Sequence, residues 1–131
     1  MWFKVFEESS KFSDVFGLGF IQELVEFDML VVHDEMRVSF YFRILGLPDS
    51  APVQWIVGGY NAAEFTVVFH NPLKLEVSGA RSGFDCAPVM AVSSEGTSLC
   101  VESADTKIFC IGKHASIGEI RPYTDSRIRS A

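Results

Sequence analysis

Three histidines, three cysteines and carboxylates in close pairs, among them Asp34-Glu35 and Glu26 with Asp28, are candidates in this chain to bind a metal, attack a carbonyl or relay a proton. His33, His70 and His114 are far apart in sequence, and none stands in HExxH, CxxC or CxxH spacing, so a metal site has no local support. A thiol nucleophile needs a nearby base or a helix N-terminus to lower its pKa. Cys100 and Cys110 fall inside expected strands and read as small core residues. Cys86 falls in an expected loop, where exposure favours reaction, but its neighbour Asp85 carries a charge that raises a thiol pKa. No Gly-x-Ser-x-Gly elbow is present to present a serine. Gly17-x-Gly19 lacks the third glycine of a dinucleotide loop, since Gln22 stands there, and it precedes a strand where it should follow one. Of the carboxylates, Asp34 and Glu35 are adjacent, while Glu26 and Asp28 project from one strand face two residues apart. Such a pair suits acid–base work, and it equally suits a face kept wet by charge. The reading is of no catalytic residue, no metal and no cofactor: a protein that binds and is not an enzyme.

These groups are carried by a chain that reads as mainly β, bordering on α+β. Phe12, Val15 and Phe16 have the i, i+3, i+4 spacing of an amphipathic helix, ended by Gly17 and Gly19. From Leu24 the period becomes two, with Val25, Phe27, Met29 and Val31 on an expected apolar face and Glu26, Asp28, Leu30 and Val32 on the other. After the polar break His33-Asp34-Glu35, Met36, Val38, Phe40, Phe42 and Ile44 alternate with Arg37, Ser39, Tyr41 and Arg43, and the two runs predict a hairpin. Residues 46–63 are an expected connection, rich in Gly and Pro, that holds Trp55 and Tyr60. Glu64–His70 predicts a strand, Asn71-Pro72 a turn, and Leu73–Val77 a further strand. A loop over 78–88 precedes short strands at 89–92, 99–101 and 108–111, then an edge strand over Ser116–Tyr123. The sum is an antiparallel curled sheet or sandwich of about seven to eight strands with a short N-terminal helix, a spacing of turn signals typical of such folds. One domain is expected over 1–123, with a polar, frayed tail over 124–131.

Composition narrows the partners. The 131 residues suffice for one domain with its own core, and twelve phenylalanines supply it. The formal net charge is −6, which argues against nucleic acid and against an anionic membrane as ligands. Glu7, Glu8, Asp14, Glu23, Glu26, Asp28, Asp34 and Glu35 face only Lys4 and Lys11 within residues 1–35, so this quarter holds the whole excess. It is either a solvated face or a steering surface for a basic protein. An odd count of cysteines, with no basic-then-apolar N-terminus, leads to the expectation of reduced thiols in the cytoplasm.

One order of residues carries a family likeness. Trp2 leads to Phe16-Gly17; an acidic strand with Phe27 and Asp28 precedes the basic-aromatic run Arg37–Leu45. Pro48 and Pro52 lead into Trp55, then Gly59-Tyr60-Asn61, the strand Glu64–Phe69, and Leu73, Leu75, Val77 and Gly79. Over roughly residues 2–79 this resembles immunity protein family fifty of the bacterial polymorphic-toxin systems, most specifically at Pro-x-x-Trp followed by Gly-Tyr-Asn. The resemblance implies a small cytoplasmic protein that binds a cognate toxin and blocks it, with no catalytic residues to transfer.

The leading expectation is therefore an inhibitor whose acidic N-terminal third and 46–63 loop contact a basic toxin, with Glu26, Asp28, Asp34, Glu35, Trp55 and Tyr60 as contact residues. Alternatives are a structural or assembly subunit pairing through the Ser116–Tyr123 edge, and a small-ligand-binding β domain with an internal pocket. The oligomeric state is left open by the sequence.

Overall fold

The computed structural model describes residues 10–16, 24–33 and 36–127. They form helix α1 (Ser10–Phe16), strands β1 (Val25–His33) and β2 (Arg37–Leu45), helix α2 (Val53–Val57), and strands β3 (Ala62–Ser78), β4 (Phe84–Cys86), β5 (Val89–Ser93), β6 (Gly96–Glu102), β7 (Lys107–Ile117) and β8 (Arg121–Tyr123). All strands pair antiparallel in one sheet of order β4-β1-β2-β3-β7-β6-β5, with β8 also on β3. The two end strands, β4 and β5, are joined by only Ala87 and Pro88. Three Cα–Cα steps reach at most about 11 Å. The sheet must therefore curl until its ends nearly meet, which is the curled form the turn spacing predicts.

Alternation decides which side of each strand goes inward. In β2 the buried apolar residues are Val38, Phe40, Phe42 and Ile44, as the period of two requires, with Ser39 buried on the other face. The same rule fails halfway along β1. Phe27 lies opposite Phe42, but Met29 lies opposite Tyr41 and Leu30 opposite Phe40. The extra residue is Asp28, a bulge that exchanges the two faces of the strand. Met29 and Val31, expected beside Phe27, therefore share the outward face with Tyr41 and Ser39, while Leu30 packs against the core. One slipped residue is sufficient to invert every side chain after it.

Asn71-Pro72 also behaves differently from the expected turn. The chain runs straight through it as the 17-residue strand β3. Asn71 adopts φ 51°, the left-handed region that asparagine tolerates, and donates its N–H to the Met36 carbonyl at 2.7 Å. The register against β7 shifts between Pro72 and Lys74, so proline occupies an irregular step of the ladder where its missing donor does little harm. The expected loop over 78–88 contains β4, which closes on β1 through Val25–Cys86 and Phe27–Phe84 pairs. The expected edge strand over Ser116–Tyr123 is two pieces. Ser116 and Ile117 end β7, and Arg121–Tyr123 forms β8, both along β3, with the Gly118 N–H bridging to the Thr66 carbonyl at 2.7 Å.

Phenylalanine rings fill the interior. Phe40 meets Phe27, Phe42 and Phe69 at centroid distances of 6.3, 6.3 and 5.9 Å, and Phe42 stacks on Phe65 at 5.3 Å. The α1 helix covers this layer: Phe12 meets Phe65 edge-on at 5.1 Å, and Phe16 meets Trp55 at 5.7 Å. The lower half of the curl adds Leu99, Val101, Ile108 and Cys110 to the same core. Gly96 opens β6 with φ 138°, and a Cβ there would collide with the Gly112 carbonyl of β7. Gly96→Ala is expected to cost about 1–3 kcal/mol from backbone strain and overpacking. Urea unfolding checks it; an unchanged midpoint would mean that β6 does not approach β7 so closely.

Candidate functional site

The start of β1, the end of β2 and the start of β3 meet at one end of the sheet. Across that end runs a row of alternating charge, Glu26 opposite Arg43, Arg43 opposite Glu64, and Glu64 opposite Arg121. Glu26 is only 5% exposed. A buried carboxylate requires partners, and it has two. Arg43 Nη1 donates to Glu26 Oε1 at 2.9 Å, while Arg43 Nη2 donates to Asp28 Oδ1 at 2.6 Å. Arg127 donates to both Glu26 oxygens, Nη1 to Oε2 at 2.9 Å and Nη2 to Oε1 at 2.8 Å. It grips Asp125 as well, from Nε at 2.9 Å and Nη2 at 2.6 Å. Asn61 holds the same segment, accepting from the Asp125 N–H at 2.7 Å and donating to its carbonyl at 2.9 Å. Residues 124–127 are therefore clasped against β1 where fraying was expected. Asp125 and Arg127 are the residues the sequence reading missed, and no local pattern marks them, because Glu26, the distant partner of Arg127, lies 101 positions away and Asn61, which holds Asp125, lies 64 away.

Beside this clasp, the β2–β3 connection forms α2. Its sequence, VQWIV, holds one polar residue. A five-residue helix has one face to bury, and Trp55 occupies it by packing against Phe16 and the core. The remaining apolar side chains face solvent: Val53 is 71% exposed, Ile56 53% and Val57 80%, with Tyr60 at 41% just beyond. Gly58 and Gly59 end the helix, and the Tyr60 N–H closes back on the Trp55 carbonyl at 3.1 Å. Clustered apolar exposure of this kind marks interaction sites.

Of the six residues singled out in the sequence, Glu26, Asp28, Trp55 and Tyr60 fall at this end. Asp34 and Glu35 lie outside the described residues. Cys86, expected to be exposed, is buried opposite Val25. Burial and then Asp85 push its thiol up to about 12, and burial alone does the same to Cys110. Neither is a nucleophile at neutral pH. Two histidines touch serines, His33 Nε2 to Ser39 Oγ at 3.2 Å and His70 Nε2 to Ser116 Oγ at 3.4 Å. Ser39 lies in a strand paired on both sides, and Ser116 lies near the end of β7 in its ladder with β3. Among the described residues no three of His, Cys, Asp and Glu are arranged to hold a metal ion.

The family model for immunity protein 50 matches residues 6–123. The chain belongs to the immunity protein 50 family. No curated protein and no solved structure matches the chain. The family is not a catalytic one, in accord with a site made of ion pairs and apolar surface. The match extends past the 2–79 span of the sequence likeness and takes in every strand to Tyr123. Asp125 and Arg127, two residues of the clasp, lie beyond it.

In this immunity protein the clasp ties stability to pH. The guanidinium of Arg127, followed by that of Arg43, holds the Glu26 carboxyl below its ordinary value in spite of burial. The Arg127 side chain and amide hold Asp125 well below the usual carboxylate range. Lowered carboxyl pKa values contribute stability that is complete above the unfolded value, about 4, and is lost as pH falls through the folded values. The urea midpoint is thus expected to be level from pH 7 to about 5 and to fall below about 4. Arg127→Met should make that acid slope shallower. Parallel slopes for the two proteins would show that the clasp contributes nothing.

Proposed function

We propose that this immunity protein neutralises a cognate toxin by direct binding, with the α2 loop as the contact core and the acidic surface as its guide. The observation that carries this is the solvent-facing set Val53, Ile56, Val57 and Tyr60 on a helix fixed from below by Trp55. Aromatic and apolar anchors on a rigid support, rimmed by charge, are what binding hot spots use. Asp28, Arg43 and Arg127 form the rim, and the buried Glu26 beneath them ties both guanidiniums into a preorganised, nearly neutralised edge. Asp34 and Glu35 act in this proposal through the field of a chain with net charge −6, which favours a basic toxin domain. The setting is the cytoplasm of the producing cell, where a toxin would meet its own maker.

The test uses the cognate toxin domain, to be sought among the genes that neighbour the one for this chain. Mixing the two should give a complex in which toxin activity is lost. Asp34→Lys with Glu35→Lys should slow association at low salt several-fold and leave dissociation nearly unchanged, the signature of steering. A toxin that stays active at saturating protein would sink the proposal. An unaltered association rate would remove those two acids from it.

A further inference from the structure

All three histidines of the chain, scattered in sequence, fall in one row across four strands. His33 on β1 lies opposite Arg37 on β2, Arg37 opposite His70 on β3, and His70 opposite His114 on β7. Directly opposed residues of antiparallel strands share a face, with Cβ atoms about 4.5–5.5 Å apart. Arg37, His70 and His114 are exposed and His33 is half-buried. The row lies at the opposite end of the β2–β3 pairing from Arg43 and Glu64, away from α2 and the clasp.

From this register we infer that His70 and His114 form a two-imidazole site for a late first-row divalent cation such as Zn²⁺ or Ni²⁺. The spacing suits it. Imidazole nitrogens bind zinc at about 2.0–2.1 Å, so two nitrogens on one ion are at most about 4 Å apart, close to the separation of the opposed Cβ atoms. The His70 ring turns toward β7, since its Nε2 is 3.4 Å from Ser116 Oγ, and so away from Arg37. His33 stands two strands from His70 with the Arg37 cation between them and its own ring on Ser39, which keeps it out of the chelate. Neutral imidazole suits zinc and nickel. With two protein ligands the remaining positions belong to water or to a donor from a partner, so the site is exchangeable and weak. It joins β3 to β7 and binds only the folded register, so it should raise thermal stability by mass action.

Calorimetry with ZnCl₂ and NiCl₂, together with ¹⁵N spectra of the histidine rings, tests this on the full chain. One site is expected, with nitrogen shifts at His70 and His114 and none at His33. His70→Ala and His114→Ala should each weaken binding tenfold or more and abolish the metal-induced rise in Tm, while His33→Ala changes neither. Both rings are exposed, so the variants should fold, which circular dichroism checks. Binding that survives either alanine, ring shifts centred on His33, or no binding up to millimolar metal would each overturn the assignment. Toxin capture plays no part in these readouts, so the two proposals stand or fall separately.

Discussion

Phe40→Ala is expected to remove about 3–5 kcal/mol of stability, a large share of the roughly 5–15 kcal/mol that a domain commonly has. Phe40 is fully buried at the middle of β2 and touches rings from three strands, Phe27, Phe42 and Phe69. Truncation loses the transfer free energy of a phenyl ring and leaves a space that a close-packed sheet cannot collapse to fill, because each neighbour is fixed by its own ladder. Tyr41→Ala, on the adjacent residue but the outward face, should cost about 1 kcal/mol or less. Urea unfolding of the pair reads the difference directly. Comparable losses at the two positions would show that the face assignment of β2 is wrong, and with it the core.

That face was plain in the sequence because β2 alternates without interruption for nine residues. The hairpin, the helix at Phe12–Phe16 and the mainly β class were legible for the same reason: local periodicity records which side is buried. What was hidden lies where periodicity is broken. Nothing in Phe27-Asp28-Met29 announces a bulge, since Asp28 is as polar as an outward residue should be, and the inversion of Met29 and Leu30 depends on pairing with β2. Asn71-Pro72 carries the chemistry of a turn, and pairing with β7 together with the bond from the Asn71 N–H to the Met36 carbonyl carries the strand on through it. The site divides in the same way. Trp55 and Tyr60 stood out because glycine and proline surround them. Arg127 did not, because the reason for its position is a buried carboxylate in another part of the chain. The histidine row is likewise a property of register and invisible to spacing.

The α2 loop yields the larger functional effect. Ile56→Asp with Val57→Asp is expected to weaken toxin binding 100-fold or more, about 3 kcal/mol at 1.4 kcal/mol per decade. Both side chains are more than half exposed, so folding stability should move by about 0.5 kcal/mol or less. Trp55→Ala cannot make the same point, because Trp55 supports Phe16 and its loss would destabilise the fold as well. Tyr60→Ala, with a part-exposed ring, should cost about 2 kcal/mol of binding if it acts as an anchor. The choice of aspartate also separates the two halves of the proposal. New acid in front of a basic partner strengthens long-range attraction, so electrostatics alone predicts equal or tighter binding by the double variant. Apolar burial predicts a faster dissociation, since a charge would be buried without a partner. A dissociation rate that rises steeply while the association rate holds or improves assigns the contact to the α2 surface. Unchanged affinity would move the docking face elsewhere on the sheet and leave α2 as a cover for the Phe16 end of the core.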